Sequence, residues 1–97
     1  MFNLLVYDID FSDKDGQCRL RKVSKFCEKY GIRVQNSVFE LNIDSKDMLE
    51  LKNKLLKIIK KNDTIRIYKI GKIENVKIEI LGKKENVEIT NNENFIF

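Results

Sequence analysis

Two hydrophobic periods alternate along this chain, and they divide it into elements. Phe2 to Tyr7 (FNLLVY) is a short, nearly continuous apolar run ending at Asp8, the pattern of a strand covered on both faces. A polar loop from Asp8 to Gly16 follows, with several residues suited to capping a helix. From Gly16 to Tyr30 the apolar positions are Leu20, Val23, Phe26 with Cys27, and Tyr30, which is the i, i+3, i+4, i+7 stripe of a helix lying on a sheet. Gly31 is expected to end that helix in the left-handed conformation.

Ile32 to Ile43 returns to a β-rich composition, too long for one strand, with its alternation broken at Val38-Phe39. Two short antiparallel strands or one sharply bent strand both account for it, and the pattern does not place the reversal. Asp44 or Ser45 caps a second helix over about residues 45–61, whose stripe is Met48, Leu51, Leu55, Ile58 and Ile59. Thr64 to Ile70 alternates as a strand. Val76 to Leu81 predicts another, and 86–90 and 94–97 are weaker strand segments. The order β-α-β-β-α-β, with extra strands at the end, is an α+β ferredoxin-like sandwich: two helices on one face of an antiparallel sheet. Such a fold hosts many functions and selects none.

Composition narrows the choice. Ninety-seven residues suffice for one domain, expected over 1–82 with a C-terminal extension over 83–97. A chain this short buries only about 60–65% of its unfolded surface, so a further face buried in a homo-oligomer would stabilise it. With no histidine, imidazole triads and histidine-bearing zinc sites are excluded. Cys18 and Cys27 lie nine residues apart on one helix, too far to bridge, and predict reduced thiols in a cytoplasmic protein. No apolar run is long enough to span a bilayer. The net charge of +4 gives modest support to a polyanionic partner, and the lysines and arginines repeated along both helices suit a phosphate backbone or, equally, plain solvation.

The chemistry-bearing residues cluster in two places. Asp8 closes the first strand, and an aspartate there is either a metal ligand or a turn-former, with Asp10 a second ligand two residues on. The stretch Tyr30-Gly31-Ile32-Arg33-Val34-Gln35-Asn36-Ser37-Val38-Phe39-Glu40 carries an Arg-Gln-Ser polar set within a β-rich run. Arg33 offers a guanidinium fork for a phosphate. Ser37 either donates to phosphate or satisfies backbone, and Phe39 reads as packing before it reads as a base-stacking surface. Arg19 and Arg21 on the first helix are either nucleic-acid contacts or a solvated face.

Together, Val6-Tyr7-Asp8-Ile9, Arg19-Leu20-Arg21-Lys22-Val23, the Tyr30–Glu40 string and Arg66-Ile67-Tyr68 resemble the small CRISPR-associated adaptation proteins, the ferredoxin-like partners of the CRISPR integrase. The resemblance covers roughly residues 2–82. It implies a homodimer in which a C-terminal strand, carrying Phe95 and Phe97 or lying at 86–90, pairs with the partner's sheet, with Phe39 and Gln35 contributing to packing at the dimer. It implies binding to RNA or duplex DNA and to the integrase. It also implies a Mg²⁺-dependent endonuclease or endoribonuclease acting through Asp8. A scaffold without catalysis and a toxin-like endoribonuclease of the VapD group are the alternatives; the Arg33–Glu40 string argues against the second.

Overall fold

The computed structural model describes residues 1–82 together with the backbone of Phe95–Ile96. Its elements run β1 (Phe2–Asp8), α1 (Gly16–Glu28), β2 (Gly31–Gln35), β3 (Val38–Asn42), α2 (Ser45–Leu56), β4 (Thr64–Gly71), a 3₁₀ turn (Ile73–Asn75), β5 (Ile78–Glu79) and β6 (Phe95–Ile96). The main sheet has the order β2-β3-β1-β4, and each neighbouring pair is antiparallel. This is the ferredoxin-like arrangement expected from the element order.

The alternation of β1 sorts its side chains onto two faces. Leu5 and Tyr7 enter the core with Phe39 and Leu41 of β3, against Val23 and Cys27 of α1 and Met48, Leu51 and Leu55 of α2. Leu5, Val23, Cys27, Phe39, Leu41 and Leu51 are wholly excluded from solvent. Each such aliphatic or aromatic side chain contributes about 1.5–3 kcal/mol relative to exposure. Burial pushes the Cys27 thiol up to about 12, so it stays a protonated core residue, and Cys18 is exposed; neither forms a disulfide. Among the described residues, no helix is long and apolar enough to cross a membrane.

The chain reversal that the pattern left open falls at Asn36-Ser37, between β2 and β3. Val38 and Phe39 are both apolar because they serve opposite faces: Phe39 enters the core, while Val38 pairs with Val6 on the other side of the sheet. The Asp44 carboxylate caps α2 by accepting from the Asp47 amide at 2.8 Å, as expected. That helix stops at Leu56, so Ile58 and Ile59 pack on the core from the following turn.

Gly31 does a different job from the one expected. The left-handed backbone is absent there; Gly31 is the first residue of β2, and α1 ends three residues earlier, at Glu28. A Cβ at this position would lie 2.2 Å from the Glu40 carbonyl oxygen and 2.4 Å from Leu41 Cδ2. Glycine is required because β2 passes too close to β3 for any side chain. The strand expected over 76–81 is only two residues long, Ile78–Glu79, and a 3₁₀ turn over Ile73–Asn75 precedes it. Phe95–Ile96 pairs in parallel with Ile78–Glu79 of the same chain. The segment 86–90 and Phe97 lie outside the described residues.

Candidate functional site

Asp8 stands exposed at the C-terminal end of β1, opposite Thr64 of β4. The β2–β3 turn and the α1 surface flank it, and together they enclose a cleft of about 340 Å³ into which Asp8, Arg33 and Ser37 all contribute. Three of the residues singled out from sequence are thereby brought together. A second cleft, lined by Arg33, Arg21 and Lys25 among others, shares Leu20, Ser24 and Arg33 with the first. The two clefts adjoin at Arg33, one holding the Asp8 carboxylate and the other opening on the outer face of α1, where Glu28 stands beside Arg21 and Lys25.

Arg33 is set by its surroundings. Its Nη2 donates to Ser24 Oγ at 2.8 Å, its guanidinium lies 5.6 Å from the Phe39 ring centroid, and Glu28 is 3.6 Å away. Its side chain is still 43% exposed, so it can meet a ligand from a defined position. Behind it, Ser24 Oγ and Tyr7 Oη are 2.6 Å apart, and Tyr7 Oη lies 3.1 Å from the Asn36 carbonyl. The carbonyl can only accept, so the single phenolic hydrogen goes there. Ser24 must then donate to Tyr7 while accepting from Arg33. The directions are fixed along the whole chain of contacts, which ties the β2–β3 turn, α1 and β1 to one another. Replacing Tyr7 with phenylalanine should cost about 1–2 kcal/mol by leaving the Ser24 hydroxyl without its acceptor. Urea unfolding measures that loss, and an unchanged midpoint would show that the Tyr7 hydroxyl contributes nothing to stability through these contacts.

Arg19 is the main departure from the sequence reading. It is neither a solvated residue nor part of the exposed basic groove: it is 5% exposed and its guanidinium is turned inward. Nε donates to Asp63 Oδ2 at 2.8 Å, Nη1 to Asp13 Oδ1 at 3.0 Å, and Nη2 to both Asp63 Oδ1 at 3.2 Å and the Asp10 carbonyl at 3.0 Å. Four of its five N–H groups are thus taken by this protein itself. Asp63 also accepts from the Lys60 and Asp10 amides. Burial pushes its carboxyl up, but the Arg19 guanidinium and the two amides outweigh this and hold it at about 2. The cluster pins the β1–α1 loop to the α2–β4 turn.

Asp10 belongs to that loop architecture. Its carboxylate accepts from the Ser12 amide and hydroxyl, which lower its pKa, and Asn62 Nδ2 lies 3.4 Å away. Both of its oxygens therefore have protein partners. Among the described residues, no three histidine, cysteine, aspartate or glutamate side chains come together as a metal cluster. Phe39 lies wholly in the core, stacked on Tyr7 with centroids 6.2 Å apart, so its packing is internal to the chain. Gln35 is exposed at the end of β2, and Arg21 on the outside of α1.

The sequence reading missed Tyr7, Ser24 and Asp63. Ser24 carried a signal, since it falls four residues after Leu20 and one after Val23, on the inward face of the helix. Arg19 carried the same one, four residues before Val23. Asp63 carried none, because it follows a polar turn and its partner is far off in sequence.

Comparison with known proteins agrees with the geometry. The family model for the CRISPR associated protein Cas2 matches residues 1–78. The chain is 47% identical over 72 residues to the CRISPR-associated endonuclease Cas2 of Halalkalibacterium halodurans, covering 73% of this chain and 75% of that protein. It is 43% identical over 82 residues to the CRISPR-associated endoribonuclease Cas2 of Nitratidesulfovibrio vulgaris, covering 78% and 80%. The crystal structure of Streptococcus pyogenes Cas2 at pH 6.5 superposes with a TM-score of 0.73 at 42% identity, over 84% of this chain and 100% of that one.

Proposed function

Because the chain belongs to the Cas2 family of CRISPR-associated proteins, we propose that it acts in CRISPR adaptation as a nucleic-acid-binding homodimer that scaffolds the integrase in the cytoplasm and cleaves phosphodiester bonds with Mg²⁺ at Asp8. The observation that carries the proposal is the cleft that gathers Asp8, Arg33 and Ser37 and continues past Arg21 and Lys25. A groove with cations along one side follows a phosphate backbone without reading bases.

One carboxylate fits Mg²⁺, which keeps several waters and often takes one or two carboxylates plus substrate phosphate oxygens. The cation supplies water activation and charge neutralisation at phosphorus. Arg33 then holds a phosphate oxygen through its guanidinium fork, and the Ser37 hydroxyl donates to a neighbouring one. Ser24 and Tyr7 keep Arg33 in register with Asp8. No imidazole takes part, as the chain has none.

Self-association has its own support. The sheet face away from the helices carries Leu4, Val6, Val38 and Tyr68, and the pairs Leu4–Glu40 and Val6–Arg66 place charge among them. Desolvation raises the Glu40 pKa, and its Oε1 finds no hydrogen-bond partner among the described residues. A second copy across this face would cover the apolar residues and place the two β1 strands near a common axis. The β5–β6 pair then supplies the strand that reaches the partner's β4 edge.

A scaffold without catalysis is the second reading, favoured by the dispersal of the remaining carboxylates into loop contacts. The test compares wild type with Asp8→Ala on single-stranded RNA and duplex DNA, with and without Mg²⁺. Cleavage should fall at least about 100-fold in the variant, the scale of losing a principal charge-stabilising group, while duplex affinity keeps a steep salt dependence. Cleavage that persists in the variant leaves only the scaffold. A flat salt dependence in both proteins removes phosphate tracking as well.

A further inference from the structure

We propose that Phe11 is a stacking platform for an unpaired nucleobase at the mouth of the Asp8–Arg33 cleft, so that the site takes a single-stranded segment or an unpaired end in preference to a closed duplex. Single exposed apolar side chains are ordinary on protein surfaces. What sets Phe11 apart is that it lines the same cleft as Asp8, Arg33 and Ser37, remains 55% exposed, and sits on a loop that is held on both sides of it.

The anchoring is specific. Asp10, just before Phe11, donates its amide to Asp63 and accepts at its carbonyl from Arg19. Ser12, just after, is held through its amide and hydroxyl by the Asp10 carboxylate. Gly16 opens α1 directly beneath: a Cβ there would come within 2.5 Å of the Asp10 carbonyl oxygen and 3.0 Å of Phe11 Cδ1. One edge of the ring therefore rests against the start of the helix, and the loop cannot withdraw it. An aromatic ring fixed before the ligand arrives loses little freedom on binding, which is the arrangement that makes rigid aromatic anchors effective.

Size and polarity agree. A cleft of about 340 Å³ is at the small end of ligand pockets, suited to one nucleotide. A base lying on Phe11 directs its own phosphate along the cleft to Arg33 and Ser37. Every base offers a π face, so such a platform tolerates any sequence but requires the base to be free of its stack. A closed duplex meets the arginine-lined groove and leaves Phe11 unused.

The inference rests on the nucleic-acid reading above, and one set of measurements separates the two. The chain has no tryptophan, so Phe11→Trp introduces a single fluorophore that can be excited apart from the three tyrosines. A single-stranded oligodeoxynucleotide and a blunt duplex closed by G·C pairs serve as probes, at one low salt concentration, with urea midpoints confirming that each variant folds. The single strand should quench the tryptophan while the blunt duplex binds without quenching. In Phe11→Ala the single-strand affinity should fall roughly tenfold, from the usual strength of base–aromatic stacking, with Phe11→Tyr retaining it. Single-strand binding without quenching, or equal affinity in Phe11→Ala, overturns the platform and leaves the phosphate groove standing. An equal loss for the blunt duplex also overturns it. If wild type binds neither probe, both readings fall.

Discussion

Replacing Asp63 with alanine should destabilise the protein by about 3–5 kcal/mol, because it takes the main counter-charge from the 95% buried Arg19, leaving it only Asp13 and the Asp10 carbonyl, and removes the acceptor of the Asp10 and Lys60 amides. Domains of this size have total stabilities of about 5–15 kcal/mol, so the variant should approach the edge of folding at room temperature. Urea unfolding with far-UV circular dichroism measures the change. The double replacement Arg19→Met with Asp63→Leu should recover most of it, since a buried ion pair exchanged for apolar residues of similar volume is often neutral. If the double variant is as unstable as Asp63→Ala, the loss belongs to packing or to the loop amides and not to the stranded charge.

The same carboxylate makes a definite contribution to the pH dependence. Its folded value, about 2, lies below its ordinary 3.8. A depressed carboxyl stabilises fully above its unfolded pKa and loses that contribution as pH falls through the folded one. The stability gap between wild type and Asp63→Asn should therefore hold at neutral pH and narrow between about pH 4 and pH 2. A gap that stays constant over that window would show that the Asp63 carboxyl titrates in the folded protein as it does in the unfolded chain.

Gly31→Ala is expected to cost about 3 kcal/mol, the upper range for forcing a methyl group into a packed site. Its Cβ would meet the Glu40 carbonyl at 2.2 Å. That atom is backbone within the β2–β3 ladder, where Gly31 is paired with Leu41 and Ile32 with Glu40, so it cannot move aside as a side chain would. The strand must tilt, and Arg33 lies two residues further along it. Alanine at 31 should accordingly lower nucleic-acid affinity together with the urea midpoint. A variant of unchanged stability would mean that β2 and β3 have room to separate.

These expectations show what the sequence disclosed and where it stopped. The periods of β1, α1, α2 and β4 were plain, because burial on one face imposes them directly. The Asp44 cap was equally legible, being a local contact three residues long. Gly31 was expected to end α1, which stops three residues before it, and its role is in β2: a glycine after a helical stripe looks the same whether it needs a left-handed backbone or an absent Cβ, and only the approach of β3 distinguishes these. Asp8, Arg33 and Ser37 were chosen from residue chemistry and resemblance, and their meeting in one cleft depended on the sheet order. Arg19 misled because a charged residue on a helix is normally outside; its burial is explained by Asp63, 44 residues away and unmarked by any pattern.

The central position of β1 has a consequence for how the protein is made. Its ladder with β3 can close once residue 42 is available, but its ladder with β4 joins Phe2–Asp8 to Thr64–Gly71 and must wait for the end of the domain. At synthesis rates of about 5–20 residues per second, β1 passes roughly 1–6 s with one edge paired and the other open. The Arg19–Asp63 contact closes over the same interval, so the loop bearing Phe11 and the end of β1 bearing Asp8 take their final shape together and late. Until β4 emerges, the nascent chain has its core helix and first hairpin but an open apolar edge, the form in which such a fold is most exposed to wrong strand pairing.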